Sequence, residues 1–123
     1  MPTSPALPFG PGPGGAPVLH GQRCTWCGHV SFPRQPYGCE ECGSPDTEPH
    51  DLPGTGVVHA AATVHRHPDP RVPVPYTVVS VLLDDGPLVR GACATPTPVG
   101  TRVRPHLDTA DPDRPQLLFT PAP

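Results

Sequence analysis

The sequence predicts a mostly β protein, in which a cysteine-rich, metal-binding unit precedes a small five-stranded barrel. Pro and Gly supply 23 and 13 of the 123 residues, a composition that disfavours long helices. Four of the five cysteines form two Cys-x-x-Cys pairs, and five short runs rich in β-branched residues follow them. Only 35 % of the residues are hydrophobic and 5 % aromatic, so each core is small and a metal ion is expected to add stability.

Three segments are expected along the chain. Residues 1–17 contain six Pro and four Gly, and such a segment cannot bury enough surface to offset the entropy lost on ordering. We therefore predict a flexible, disordered arm there. Residues 18–53 carry the cysteine pairs and a surplus of acidic residues, whereas Arg and acids balance from Gly54 onward. The predicted domains are thus a metal-binding unit at 18–53 and a barrel at 54–123.

The cysteine pairs are the strongest motif. Cys24–Cys27 and Cys39–Cys42 are separated by 11 residues, and Gly28 or Gly43 follows each pair. Two intervening residues let one tight turn direct both thiolates to a common ion, and glycine permits the left-handed backbone that this turn needs. Four thiolates complete a tetrahedral shell without an open position. The sequence therefore predicts a rubredoxin-like zinc ribbon in which one structural Zn²⁺ is bound by Cys24, Cys27, Cys39 and Cys42.

Other interpretations of the cysteines remain open at this point. Iron could occupy the same four-thiolate site, and Cys-x-x-Cys pairs also occur as redox centres. His29, two residues after Cys27, could replace a thiolate, but with four cysteines available we interpret it as a surface residue. Cys93 lies in an apolar run beside two alanines, which favours a buried small residue over a nucleophile.

Five predicted strands fill the second half of the chain. Turn-forming residues separate them, and their length suits an antiparallel Greek-key barrel of the OB type. In the first strand, the side chains from Val58 to Val64 at even positions are expected on one face. The loop 67–75 contains four prolines and is expected to project from the sheet. The predicted strands are Gly56–His65, Tyr76–Leu83, Leu88–Ala94, Thr101–Leu107 and Gln116–Thr120.

No convincing active site appears in the sequence. The nucleophile-elbow, phosphate-loop and dinucleotide-binding motifs are all absent. His59 and His65 fit the wet side of a strand, and the adjacent Asp84 and Asp85 fit a turn. Arg102, Arg104 and His106 are expected to form a stripe on one strand face, which could receive phosphates such as those of coenzyme A. With a net charge of −3 and no Lys, the chain is a poor candidate for nucleic-acid binding.

The order of the motifs resembles the zinc-ribbon and OB-fold acyl-CoA-associated proteins, a family formerly described as a domain of unknown function. The resemblance extends from Val18 to Phe119 in one register. It rests on Gln22-Arg-Cys24-x-x-Cys27-Gly28, Phe32-Pro33-Arg34, Cys39-x-x-Cys42-Gly43-Ser44, Gly54-x-Gly56-x-Val58, Pro75-Tyr76 and Val99-Gly100-x-x-Val103.

The resemblance implies a partner protein without catalysis of its own. Similar proteins assemble with thiolase-fold enzymes, including thiolases, lipid-transfer aldolases, acyltransferases and hydroxymethylglutaryl-CoA synthase assemblies, and some pair with hotdog-fold hydratases. The expected function is an accessory subunit that binds and stabilises such an acyl-CoA enzyme and helps form its acyl-CoA channel. By the same resemblance the four cysteines match the metal ligands. Expected contacts with the partner or with acyl-CoA are Arg66, Arg71, Tyr76, Arg102 and Arg104.

Two other functions are weighed against this one. OB barrels and zinc ribbons also bind single-stranded nucleic acids, although the negative charge and only six aromatic residues disfavour this. An enzyme acting on thioesters through Cys93 or His65 is the third possibility. The expected location is the cytoplasm, because no apolar stretch resembles a signal peptide or a membrane helix. The sequence does not identify the partner enzyme or the acyl group.

Overall fold

A computed structural model describes residues 8–110, 113 and 115–122 of the chain. The chain divides into two compact units, Met1–Pro53 and Gly54–Pro123. Both units are built from strands, as the composition predicts, and the described helical structure is one short 3₁₀ turn at Pro13–Gly15. Within the described residues, no helix has the length and apolar character that a membrane crossing requires.

The first unit is a four-stranded antiparallel sheet organised around one central strand. Its strands are β1 (Phe9–Pro11), β2 (Pro17–Cys24), β3 (Val30–Ser31) and β4 (Thr47–Leu52). On one side of β2, β4 pairs from Leu19↔Leu52 to Cys24↔Thr47. β1 and β3 pair with the first and second halves of β2, respectively. Leu19 and Leu52 are fully buried where β2 and β4 meet, and they form the apolar centre of this unit.

The expectation of a flexible arm over 1–17 is wrong for residues 9–17. Phe9–Pro11 pairs with β2, and the backbone N–H of His20 donates to the carbonyl of Pro8 at 2.7 Å. The 3₁₀ turn then leads into β2. Proline is tolerated because β1 is an edge strand, in which some N–H groups need no partner. Composition misled the prediction because main-chain pairing with β2 can order this segment without many apolar side chains. Residues 1–7 lie outside the described part.

The second unit is a closed five-stranded barrel. Its strands are β5 (Gly56–Val64), β6 (Tyr76–Leu83), β7 (Leu88–Cys93), β8 (Arg102–Asp108) and β9 (Gln116–Pro121), in the order β5-β6-β7-β9-β8. All five predicted strands are present with small differences at their ends. The strand pairing differs in one place from the fully antiparallel barrel that was expected. β7 and β9 pair in parallel, through Ala92↔Leu118. The chain reverses direction twice between them, from β7 to β8 and again from β8 to β9, so β7 and β9 run the same way.

The barrel core follows the two-residue period of its strands. Val79 and Val81 of β6 point inward, as do Val103 of β8 and Phe119 of β9, and each is at most 1 % exposed. The aromatic ring of Phe119 lies over the backbone of Gly91 on β7. A Cβ atom at Gly91 would stand 2.4 Å from Cε2 of that ring, so glycine is required for this close packing.

The face prediction for the first barrel strand is wrong after His59. Val58 pairs with Val81, but Ala60 pairs with Ser80, so His59 is an extra residue in a β-bulge. The bulge reverses the alternation, and Ala61 rather than Ala60 lies on the same face as buried Val79. The single face expected for Val58, Ala60, Ala62 and Val64 therefore does not form.

Packing against Phe119 makes Gly91→Ala a test of the barrel core. We expect this change to lower the free energy of unfolding by about 1–3 kcal/mol, as overpacking does in other cores. The measurement is chemical denaturation of the purified protein. A cycle with Phe119→Leu provides the control, because the smaller side chain makes room and the double variant should lose less stability than the sum of the two single variants. Additive losses would contradict the proposed contact.

Candidate metal centre and barrel surface

The two cysteine pairs fold into knuckles with the same backbone hydrogen bonds. In the first, the N–H of Cys24 donates to the carbonyl of His29 at 2.9 Å, and the N–H of Gly28 donates to the carbonyl of Cys24 at 3.0 Å. In the second, Cys39 and Ser44 pair at 2.8 Å, and Gly43 donates to Cys39 at 3.0 Å. Both glycines have φ of 78°, a conformation that favours glycine, as the motif predicts.

The knuckles bring the four cysteine sulfurs together. All four Sγ atoms lie within 4.8 Å of one another. The Cys24–Cys42 and Cys27–Cys39 sulfur pairs are each 3.6 Å apart. A tetrahedral zinc site with Zn–S bonds of about 2.3 Å needs sulfur–sulfur distances of about 3.8 Å, so the arrangement fits one Zn²⁺. Four sulfur ligands fill the coordination shell and leave no position for water or substrate.

Backbone N–H groups around the sulfurs favour thiolates. The N–H of Cys27 and that of Trp26 point to the Cys24 sulfur at 3.5 and 3.4 Å and lower the pKa of this thiol to about 6. For Cys27 the N–H of His29 acts in the lowering direction, but burial and the three neighbouring thiols prevail and raise its pKa to about 12. Four thiols at these distances therefore do not all ionise at neutral pH without a cation to compensate their charge.

Polar contacts fix the outer side of the first knuckle. The indole N–H of Trp26 donates to Oδ2 of Asp46 at 3.1 Å, and the hydroxyl of Thr25 donates to the Asp46 carbonyl at 2.9 Å. His29 does not join the sulfurs, because its Nε2 pairs with the carboxylate of Glu40 at 2.8 Å. The interpretation of His29 as a surface residue rather than a ligand agrees with this contact.

The arginines expected to contact acyl-CoA or a partner fall into two groups. Arg71 forms a two-point ion pair with Asp69, and Arg102 forms one with Asp84, whose pKa is lowered by this guanidinium. Arg66 and Arg104 are exposed, and their side chains make no hydrogen bond or ion pair with described residues. The stripe predicted on the fourth barrel strand is present, since Arg102, Arg104 and His106 are exposed and Val103 is buried.

Tyr76, the fifth expected contact, lines a cavity on the barrel. The cavity has a volume of about 380 Å³ and lies between the proline-rich loop 67–75 and strands β6 to β9. The loop stays outside the sheet, as predicted, but Val72 and Pro73 close over the strands instead of only projecting from them. The sequence does not predict this cavity, because the cavity depends on where the loop lies relative to residues of four different strands. Its polar lining residues include His67, Asp108 and Gln116.

The other candidates for catalysis are not brought together. Cys93 is 1 % exposed, as expected for a buried small residue. His59 lies in the bulge and His65 follows the end of β5, so five residues of extended chain lie between them and hold them about 20 Å apart. Both side chains are exposed, and they cannot act on one reacting group.

Family models account for both units. The rubredoxin-like zinc ribbon domain of ChsH2 matches residues 15–48, and the C-terminal OB-fold domain of ChsH2 matches residues 49–108. The chain belongs to the ChsH2 family. The boundary between the two matches precedes most of β4, although β4 pairs with β2 of the ribbon sheet.

This ChsH2-family chain is similar to two proteins that carry a name. A chain in the solved structure of the Ltp2-ChsH2(DUF35) aldolase has a TM-score of 0.71 and 31 % identity, with 85 % of each chain covered. The probable enoyl-CoA hydratase alpha subunit of Thermomonospora curvata is 37 % identical over 65 residues, which are 53 % of this chain. The match spans only 20 % of that hydratase subunit. The match to the zinc ribbon model and the four converging cysteine sulfurs together show that Cys24, Cys27, Cys39 and Cys42 fit one structural Zn²⁺.

Removal of one sulfur tests the metal centre. We expect purified wild-type protein to contain about one zinc per chain and Cys42→Ser to contain almost none, because three thiolates and a hydroxyl bind zinc far more weakly. Without the ion the ribbon should unfold while the barrel stays folded. Elemental analysis gives the zinc content, and amide NMR spectra report on each unit.

The matched control is Cys93→Ala, which removes the remaining cysteine of the chain from the barrel. Its zinc content should equal that of the wild type. Zinc retained by Cys42→Ser, or zinc lost from Cys93→Ala, would contradict the assignment of the four ligands.

Proposed function

We propose that this chain is a non-catalytic accessory subunit that binds and stabilises a thiolase-fold acyl-CoA enzyme of the aldolase type and contributes to its acyl-CoA channel. The observation that carries the proposal is the closed metal centre. Four cysteine sulfurs within 4.8 Å of one another surround a single ion position, so the metal can hold the fold but cannot activate a substrate. A protein with a purely structural metal of this kind is suited to bind an enzyme and to contribute to the walls of its substrate channel.

The surface of the ribbon supports a docking role. Trp26 and Tyr37 are 77 % and 89 % exposed, although such aromatic side chains are usually buried in part. Trp26 is held in place by its hydrogen bond to Asp46, so little side-chain entropy would be lost when a partner covers it. Exposed, preoriented Trp and Tyr side chains are the residues that most often dominate protein–protein interfaces.

The barrel offers a second apolar surface. Leu82 and Leu88 are opposite each other across the β6–β7 hairpin, and they are 45 % and 57 % exposed. Side chains at these positions point away from the barrel core. An exposed apolar pair of this kind fits a contact with another protein better than a solvated face.

The class of partner comes from the relatives. The structural neighbour is an assembly of Ltp2 with a ChsH2(DUF35) chain that acts as an aldolase, and the other relative is a subunit of a probable enoyl-CoA hydratase. Aldolases and hydratases are both among the acyl-CoA enzymes with which similar proteins assemble, according to the family resemblance described above. We therefore favour the aldolase-type enzyme, because the structural match to that assembly covers 85 % of the chain.

Co-expression with an Ltp2-type aldolase tests this function. We expect a stoichiometric complex on size exclusion, and no thioester-cleaving activity from this chain alone. Trp26→Ala should weaken the complex about tenfold or more, in line with truncation of interface hot spots, while its zinc content stays unchanged. The control is Trp26→Phe, which keeps an aromatic contact and should retain most of the affinity. An active monomer, or the absence of a complex at micromolar concentrations, would contradict the proposal.

We propose that Arg66 and Arg104 contact coenzyme A in the complex. Unlike Arg71 and Arg102, they are not already paired with a carboxylate among the described residues, so a phosphate would not have to displace one. In the complex, Arg66→Gln and Arg104→Gln should each raise the KM for acyl-CoA severalfold. They should leave the KM for an acyl-N-acetylcysteamine unchanged, because that thioester lacks the nucleotide phosphates. Steady-state kinetics with both thioesters make this comparison.

Arg90→Gln is the matched control, since Arg90 is also exposed on the barrel but was not among the expected contacts. Equal KM values for all three variants with acyl-CoA would contradict the proposed arginine contacts. The proposal that the chain forms a complex with the enzyme would still stand.

A further inference from the structure

A tight turn in the zinc ribbon carries the exposed side chain of Tyr37. The turn lies at Pro36 and Tyr37, between β3 and the second cysteine pair. Tyr37 is 89 % exposed, and its hydroxyl group makes no hydrogen bond with a described residue. The direction in which the ring points therefore depends on how the backbone of the turn is held.

A buried glutamine of the central strand holds both ends of this turn. Gln22 lies on β2 and is 3 % exposed. Its Oε1 accepts a hydrogen bond from the backbone N–H of Gln35 at 3.1 Å, and its Nε2 donates to the carbonyl of Gly38 at 3.4 Å. One side-chain amide thus joins the first and last residues of the segment 35–38 to the sheet.

The side chain of Gln35 holds the same turn from within. Its Oε1 accepts a hydrogen bond from the backbone N–H of Tyr37, and its Nε2 donates to the carbonyl of Gly38. Pro36 lies between Gln35 and Tyr37, and its ring fixes φ and removes one degree of freedom from the turn. Side-chain amides therefore fix the backbone of Tyr37, although this residue belongs to no strand.

Backbone hydrogen bonds continue on either side of the turn. Before it, the N–H of Arg34 donates to the carbonyl of His20 on β2 at 3.3 Å. After it, the N–H of Cys39 donates to the carbonyl of Ser44 in the second knuckle at 2.8 Å. Gly38 has a φ of 90°, and a Cβ atom there would lie 2.7 Å from the Ser44 carbonyl oxygen. The turn is thus fixed to both the sheet and the metal centre.

This use of buried amides favours a role in recognition. A buried amide is tolerated only when its polar atoms are hydrogen-bonded, whereas an apolar side chain would fill the same position without that requirement. What the amides of Gln22 and Gln35 add is a fixed backbone beneath an exposed tyrosine. Tyrosine is among the residues that dominate interfaces, and a side chain that is already oriented loses less entropy on binding.

We propose that Gln22 and Gln35 are positioning residues that hold Tyr37 in the orientation in which it contacts the acyl-CoA enzyme. The inference rests on the proposed accessory function and deepens it, because it identifies residues that act in the same complex. The partner is the aldolase-type enzyme, since the structural match to that assembly covers 85 % of the chain. Without the two amides, the turn has to be ordered when the enzyme binds.

A double-mutant cycle on the complex with an Ltp2-type aldolase tests the positioning role. Tyr37→Ala should weaken binding about tenfold or more, and Gln35→Ala about threefold to tenfold. The double variant should bind no more weakly than Tyr37→Ala, because Gln35 acts only through the tyrosine. Isothermal titration calorimetry gives the affinities. Losses that simply multiply in the double variant would overturn the proposal.

Hydrogen exchange of the free chain gives a readout that does not depend on the enzyme. In Gln35→Ala the amide of Tyr37 should exchange severalfold faster than in the wild type, because its acceptor is gone. The amide of Cys39 should exchange at the wild-type rate, since its acceptor is the Ser44 carbonyl. An unchanged rate at Tyr37 would overturn the positioning role.

Two further variants complete the test. Gln22→Met has a similar size, and it should keep about one zinc per chain while it loses affinity for the enzyme as Gln35→Ala does. Zinc retained with wild-type affinity would contradict the role of Gln22. The matched control is Thr55→Ala, which removes a side-chain hydrogen bond to Asp84 on the barrel and should leave the affinity unchanged.

The outcomes separate this inference from the proposed function. A complex whose affinity is the same for the wild type and Gln35→Ala would overturn the positioning role alone, and the accessory function would stand. Absence of a complex at micromolar concentrations would overturn both proposals.

Discussion

Convergence of four cysteine sulfurs on one ion is the constraint on which the first unit depends. Among its described residues, Leu19 and Leu52 are the fully buried aliphatic side chains, and two of the four cysteines, Cys24 and Cys39, are buried as well. Burial of two leucines contributes about 1.5–3 kcal/mol each, whereas zinc binding in finger-like peptides supplies about 10–16 kcal/mol. The ion therefore dominates the stability of the ribbon. Because its shell is filled by sulfur, the same ion is unavailable for chemistry.

The barrel is stabilised by a different interaction. Valines from β5, β6 and β8 are buried in the core together with Phe119, and Gly91 admits the ring against the backbone of β7. On the outside, Asp84 joins two chain segments, since its carboxylate accepts hydrogen bonds from Arg102 and from the hydroxyl of Thr55. The guanidinium lowers the pKa of this carboxyl, so the ion pair is present at neutral pH. The barrel thus needs no metal to define its core.

Both units expose side chains that are suited to contact with other molecules. The ribbon exposes Tyr37 and Trp26, whose indole N–H donates to Asp46, and the barrel exposes leucines and arginines. Within the barrel, the thiol of Cys93 is buried. Exposed and oriented side chains of this kind support the accessory role proposed above, because recognition of a partner depends on side chains that lie at the surface.

The sequence alone determined the metal ligands, the five barrel strands and the family, because these depend on local spacing. Two residues between cysteines followed by glycine permit one knuckle geometry, and alternation between turn residues defines a strand. Tertiary structure decided what depends on partners distant in the chain. The edge strand Phe9–Pro11 is ordered by β2 despite its composition, the bulge at His59 reverses the faces of β5, and an ion pair with Asp84 occupies Arg102. None of these leaves a periodic signal in the sequence, because each arises from a contact between segments that the sequence does not place side by side.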